Sequence, residues 1–186
     1  RIEACRNYLN DKLEKTDRPI YGINTGFGSL CNRSISAEDL GTLQENLVRS
    51  HACGSGQEIP VLIVRLMMLL KIQALSYGNS GVQLSTLERL VWLYNENVWP
   101  VVYEYGSLGA SGDLAPLAHM SLPLIGEGEV FHRGKKRASA EVLSELGLSP
   151  VKLMSKEGLA LLNGTQFMSA YAVWSVIQSR RLLKMA

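Results

Sequence analysis

The chain has 186 residues, of which 46% are hydrophobic and 19% charged, and its formal net charge is +2. This length allows a sizeable core, and the composition is that of a globular domain, whereas the weak charge predicts binding to neither nucleic acid nor an anionic membrane. No apolar run reaches the about 18 residues of a membrane span, and the three cysteines include no CxxC pair, which favours a reducing compartment such as the cytoplasm.

Helical periodicity dominates the first part of the chain. Apolar residues at helical spacing predict a helix over 2–13, which ends before Pro19. Ser36 followed by Asp39 is similar to a capping box and predicts a second helix through residues 40–48.

Two further helices are predicted in the middle of the chain. Pro60 suits a first helical turn, and Gly78 suits the end of the apolar segment 61–77. Because that segment is apolar almost all round, we predict a buried central helix. Another helix should begin near residue 85 and end before Pro100.

The last third of the chain combines one β excursion with helices. Residues 128–137 predict a small hairpin around Gly134, and residues 139–146 a short helix. From residue 155 onward the pattern predicts a long helix that breaks near Asn163. We therefore expect a mainly α fold with a small β excursion, organised as a single domain over residues 1–186.

Two glycine-rich stretches stand out: "YGINTGFGSL" at 21–30 and "GSLGASGD" at 106–113. The first has no third glycine at the spacing of a dinucleotide-binding loop, and neither stretch has the lysine of a phosphate loop. The second is not a nucleophile elbow, since Asp113 stands where that motif requires glycine.

The tripeptide Ala110-Ser111-Gly112 is suited to reaction with itself. If the Gly112 nitrogen attacks the Ala110 carbonyl carbon, a five-membered ring forms and water is lost. Loss of the Ser111 hydroxyl with its α-hydrogen, as a second water, leaves an electrophilic methylene. Glycine and alanine keep both reacting atoms uncrowded.

Asp113 stands where a helix N-cap is expected, and Pro116 fits the first turn of the helix that follows. The positive end of that helix would favour negative charge developing on a ring at residues 110–112.

Four blocks in order resemble the aromatic amino acid ammonia-lyase family: 21–28, 44–54 ("QENLVRSHACG"), 106–128 and 156–166 ("KEGLALLNGTQ"). That family cyclises Ala-Ser-Gly to 4-methylidene-imidazol-5-one (MIO). The resemblance covers essentially the whole chain and implies the N-terminal, MIO-forming portion of that all-helical fold.

The resemblance also implies roles for individual residues. Tyr21 corresponds to the base that removes the substrate's β-proton, on a loop that Gly28 helps to shape. Asp113 corresponds to a residue that assists cyclisation. Ala110, Ser111 and Gly112 supply the ring, and no metal is expected.

Substrate contacts are implied in the second and fourth blocks. Ser50-His51 is typical of the histidine-specific branch, in which His51 hydrogen-bonds the substrate imidazole. Asn163 corresponds to the asparagine near the MIO carbonyl, and Gln166 supports the same network. Asparagine is also unfavourable inside an apolar helix, which independently indicates function.

The resemblance thus implies elimination of ammonia from L-histidine to give trans-urocanate, by a cytoplasmic homotetramer. The chain starts at Arg1, and the family's remaining active-site residues would follow Ala186. We therefore expect a portion of a longer lyase that is inactive on its own and in which the ring is not formed.

Other interpretations stay open. Within the family, the substrate could be phenylalanine or tyrosine, or the enzyme an aminomutase. A serine hydrolase would use Ser111 with His51 or His119 as base. A non-enzymatic helical scaffold is the third alternative. We predict that His119 is structural and that His132 is exposed.

Overall fold

The computed structural model describes residues 1–15, 18–26, 35–36, 39–110 and 112–186. Its helices are α1 (Ile2–Glu14), α2 (Leu40–His51), α3 (Val61–Ser76), α4 (Leu84–Asn95), α5 (Leu114–Ser121), α6 (Ser139–Glu145), α7 (Glu157–Leu162) and α8 (Gln166–Met185). Its strands are β1 (Ser55–Glu58), β2 (Trp99–Pro100), β3 (Tyr103–Tyr105), β4 (Glu129–His132) and β5 (Lys135–Ala138). A short 3-10 turn, Leu122–Ile125, extends α5.

Helix α3 forms the centre of the core. Pro60 precedes its first turn, and the helix packs against α4 and α8. Its buried face carries five apolar side chains: Ile63, Val64, Met67, Met68 and Leu75. The prediction of a buried central helix is therefore confirmed for this face, whereas Leu62 and Leu69 on the other side are exposed.

Two small antiparallel sheets lie beside the helices. The predicted hairpin is confirmed as β4 and β5, and β2 adds a third strand with Trp99 opposite Phe131. Strands β1 and β3 pair with each other and were not predicted. Both are short and largely exposed, so they lack the alternation of polar and apolar residues that identifies a strand. Strand β3 leads the chain into the glycine stretch at Gly106.

The predicted helices are present, and the fold is mainly α as expected. The predicted break near Asn163 is also confirmed, since α7 ends at Leu162 and α8 begins at Gln166. The prediction that His132 is exposed is wrong, because its side chain is buried on the central strand β4. In that strand Val130 and His132 alternate onto the covered face.

Candidate active site

A cavity of about 650 Å³ brings together three of the predicted site residues, Tyr21, His51 and Asn163. They come from the loop after α1, the last residue of α2 and the end of α7. The other lining residues are Leu47, Asn79, Ser80, Leu114, Lys156, Leu159, Ala160 and Leu162. A cavity of this size accommodates an amino acid, and its wall combines apolar surface with a few polar groups.

Tyr21 lies on a tight turn that its own loop holds in place. The backbone N–H groups of Ile23 and Asn24 both donate to the Ile20 carbonyl, at 3.1 and 3.2 Å. The Asn24 side chain closes the turn, because its Oδ1 accepts from the Ile20 N–H at 2.6 Å and its Nδ2 donates to the Arg18 carbonyl. The Tyr21 ring is 57% exposed and faces the cavity.

His51 has an orientation set by its own helix. Its Nδ1 lies 2.9 Å from the Leu47 carbonyl oxygen and 3.1 Å from Ser50 Oγ. Because a carbonyl oxygen only accepts, this contact places the proton on Nδ1 and leaves Nε2 of the neutral ring as an acceptor. The Ser50 hydroxyl donates to the same carbonyl and is not part of the cavity wall, so Ser50 orients His51.

The chain around Gly112 is packed tightly against the turn between α7 and α8. Gly112 has a φ of +118°, and a Cβ built on it would lie 2.6 Å from the Gly164 carbonyl oxygen. Only glycine fits at this position, since the conflicting atom belongs to the backbone. The next residue ties the two segments together, because the Asp113 N–H donates to the same Gly164 oxygen at 2.8 Å.

Asp113 is fully buried, and its carboxylate does not cap its own helix. One oxygen accepts from Ser107 Oγ at 2.7 Å and the other from the Met168 N–H at 3.0 Å. Met168 lies in the first turn of α8, so the carboxylate caps α8 instead. The predicted N-cap position is correct, but its side chain joins the glycine stretch to a distant helix.

Asn163 ends α7 and has an extended backbone. The argument from helix propensity is therefore wrong, because Asn163 lies after the last residue of α7 and not in a helix interior. Its Nδ2 donates to the Leu159 carbonyl at 3.0 Å, and its own carbonyl oxygen accepts from Lys71 Nζ at 2.9 Å.

The described residues around positions 110–112 fit an MIO group. The backbone of Gly164 leaves no room for a Cβ on Gly112. Ala110, two residues earlier, is exposed. Gln166 Oε1 is buried with no hydrogen-bond partner among the described residues, and its side chain packs over Gly164. Ser111 and Gly28 lie outside the described residues.

His119 is a structural residue, as predicted. Its Nε2 accepts from the Gly54 N–H at 3.0 Å, and its ring packs edge-on against Tyr103. Burial lowers the pKa of this imidazole, so it is neutral near pH 7. Because Nε2 accepts this hydrogen bond, the neutral ring carries its proton on Nδ1, and His119 has no free acceptor nitrogen to serve as a base.

Several residues near the cavity were not singled out from the sequence. Asn79, Ser80 and Lys156 line it, and Lys156 has a left-handed backbone with φ of +71°. The sequence carries a signal for Lys156, since this charged residue directly precedes the segment "EGLALL". Lys71 had no such signal, because it lies within the apolar run of α3.

Comparison with known proteins decides the family. The sequence profile of the aromatic amino acid lyases matches residues 1–186. The chain belongs to the aromatic amino acid lyase family. A histidine ammonia-lyase of Symbiobacterium thermophilum is 52% identical over 183 residues, which are 98% of this chain and 36% of that relative's length.

Solved structures of lyase-family members share the fold. The histidine ammonia-lyase of Trypanosoma cruzi superposes with a TM-score of 0.88 at 38% identity, over 97% of this chain and 35% of that one. The Pantoea agglomerans phenylalanine aminomutase superposes with a TM-score of 0.91 at 34% identity, over 98% and 35%. The chain thus spans about a third of these relatives.

Among the described residues, no three His, Cys, Asp or Glu side chains are grouped so that they could hold a metal ion. None of the described helices combines the length and the apolar character that crossing a membrane requires.

The buried Lys71 predicts a pH-dependent stability. Desolvation lowers the pKa of its ammonium to about 7, whereas a lysine in the unfolded chain has a pKa of about 10.4. Between these values the unfolded chain holds more protons, so the free energy of unfolding rises with pH, by at most about 1.4 kcal/mol per unit. We expect urea unfolding at pH 7 and pH 9 to show this rise in the wild type and a smaller one in Lys71→Met. An equal rise in the free energy of unfolding in both proteins would contradict the assignment of this pH dependence to Lys71.

Proposed function

We propose that the full-length protein containing this chain is a histidine ammonia-lyase, which eliminates ammonia from L-histidine to give trans-urocanate. The observation that carries the proposal is the cavity shared by Tyr21, His51 and Asn163, beside the turn at Gly112. The 52% identity to a histidine ammonia-lyase over almost the whole chain supports it.

Ala110, Ser111 and Gly112 would form the MIO group. Its methylidene carbon supplies an electrophile that draws electron density from the substrate's amino group and so makes ammonia a better leaving group. The backbone of Gly112 is already held close to Gly164 by packing and by the Asp113 hydrogen bond. A turn fixed in this way lowers the entropic cost of an intramolecular reaction between neighbouring residues. We further expect the isolated 186-residue chain to lack both the ring and turnover.

His51 accounts for the choice of substrate. The neutral imidazole of L-histidine has one N–H donor and one acceptor nitrogen. His51 Nε2 is an acceptor, because Leu47 and Ser50 hold the proton on Nδ1. The substrate imidazole N–H would donate to Nε2, a contact that a phenyl ring cannot make.

Tyr21 would act as the general base. Its loop carries it to the cavity, while the hydrogen bonds of Asn24 fix the turn beneath it. Asn163 lies on the same cavity wall and has a second amide N–H besides the one given to Leu159. That second N–H is available to polarise a carbonyl in the site.

A single substitution tests the substrate assignment. In His51→Leu we expect kcat/KM for L-histidine to fall about 100-fold, because the imidazole N–H would lose its acceptor. The ratio of turnover of L-phenylalanine to that of L-histidine should rise. His51→Gln, which keeps an acceptor, is the matched variant and should retain more of the activity on L-histidine. Unchanged kcat/KM for L-histidine in His51→Leu would refute the assignment.

An aminomutase is the second candidate, because the Pantoea agglomerans phenylalanine aminomutase has the same fold at a TM-score of 0.91. The products distinguish the two activities. A lyase releases ammonia and an unsaturated acid in equal amounts, whereas an aminomutase returns a β-amino acid.

We also propose a cytoplasmic homotetramer. Helix α8 supports an assembly, because its second half exposes apolar side chains that water does not favour. These side chains are Val176, Ile177, Leu182, Leu183 and Met185. Sedimentation of the full-length protein tests the tetramer.

A further inference from the structure

Lys71 is a charged residue in an apolar environment. It lies within α3, its side chain is 1% exposed, and Met67, Met68 and Leu75 on the same helix are also buried. Transfer of an ammonium group from water to such a site is costly unless the group is paired. No carboxylate of the described residues forms an ion pair with it, so packing alone does not explain a lysine here.

The described part of the chain offers Lys71 one hydrogen-bond partner. Its Nζ donates to the backbone carbonyl of Asn163 at 2.9 Å. That carbonyl belongs to the end of α7, where the orphan carbonyls of a helix need donors from elsewhere. The Lys71 side chain therefore connects α3 to the turn that carries Asn163, a residue of the cavity wall.

The same turn is the one that closes on the tripeptide. Gly164 follows Asn163, and its carbonyl oxygen accepts from the Asp113 N–H at 2.8 Å. It also lies 2.6 Å from the position of a Cβ on Gly112. A shift of the Asn163–Gly164 backbone would move Asn163 in the cavity and loosen the contact with Gly112 together.

We propose that Lys71 is a positioning residue of the active site, which anchors the Asn163–Gly164 turn so that Asn163 faces the cavity and Gly164 stays packed against Gly112. This inference rests on the proposed lyase function. Lys71 does not line the cavity, and its hydrogen bond goes to Asn163, so it acts through the turn.

The energetics favour this role over a purely structural one. Burying an ammonium group without an ion-pair partner costs free energy, and an apolar residue of similar size would avoid that cost. A lysine that only filled space would therefore be a poor choice for stability. The hydrogen bond from Lys71 to Asn163, in the proposed site, explains its presence. Polar residues at positions where the fold favours apolar ones tend to serve function.

The test compares Lys71→Met with Leu75→Val in the full-length protein. Methionine matches the length of the lysine stem but cannot donate, whereas Leu75→Val leaves a small cavity one turn further along α3. The measurements are kcat and KM with L-histidine, the thermal midpoint, and the fraction of chains in which residues 110–112 have lost two waters, by mass spectrometry. Lys71→Leu replaces the methionine variant if that variant does not fold.

We expect Lys71→Met to lose kcat by about 10- to 100-fold with KM within about threefold, since misplacement of a catalytic group by about 1 Å has effects of this size. Its thermal midpoint should not fall, and its dehydrated fraction should be lower. Leu75→Val should show a lower midpoint with kcat and dehydration intact.

The proposal is overturned if Lys71→Met keeps kcat within twofold of the wild type and the same dehydrated fraction. It is also overturned if both variants lose activity only in step with their thermal midpoints. Failure of the proposed function is distinct, because the wild type itself would then release no urocanate. In that case the positioning role is tested by the dehydrated fraction alone. Equal dehydrated fractions in the wild type and in Lys71→Met would then overturn it.

Discussion

In the full-length protein, Ser111→Ala is expected to lower kcat for ammonia release from L-histidine by at least about 1,000-fold, because it would remove the proposed covalent electrophile. Alanine has no β-hydroxyl to leave, so the ring cannot acquire its methylidene carbon. The fold should persist, since alanine and serine are similar in size. The measurement is urocanate release together with the thermal midpoint.

Ser76→Ala is the matched control for this change. Ser76 is an exposed serine at the end of α3 whose hydroxyl donates to the Gln73 carbonyl. It should keep wild-type activity. Retention of more than a tenth of kcat in Ser111→Ala would exclude a role for its hydroxyl in forming the electrophile.

The second large effect concerns Tyr21. We expect Tyr21→Phe to lower kcat by about 1,000-fold with little change in KM, since general bases contribute about 100- to 10,000-fold. Phenylalanine preserves the ring that faces the cavity and removes only the oxygen that we propose takes the β-proton. Exchange of the β-hydrogen with deuterated solvent should be lost in parallel.

Tyr8→Phe supplies the control, because Tyr8 lies on α1 and is 67% exposed. It should behave as the wild type. If Tyr21→Phe instead raised KM and left kcat unchanged, Tyr21 would be a binding residue, and the base would have to be another group.

Local patterns predicted most of the helical framework. The apolar run between Pro60 and Gly78 was sufficient for α3, and Gly134 with its flanking residues was sufficient for the β4–β5 hairpin. The order of four motif blocks predicted the family, and the structure brings Tyr21, His51 and Asn163 to one cavity. The helix and the hairpin each depend on residues close together in the sequence.

Long-range contacts were not predictable in the same way. The sequence indicates that Asp113 stands at a helix start, but its carboxylate caps α8, whose Met168 is 55 positions away. Lys71 reaches Asn163 across 92 positions. Polar pairs of this kind leave no periodic signal, because only the tertiary fold determines which donor meets which acceptor.

The most direct test of the central claim is the mass of the peptide that contains residues 106–120, released from natively purified full-length protein. If Ala110, Ser111 and Gly112 close into the ring, the peptide will be lighter than its unmodified sequence by two water molecules, and the same preparation will release urocanate from L-histidine. A peptide of unmodified mass from a fully active preparation would contradict the account.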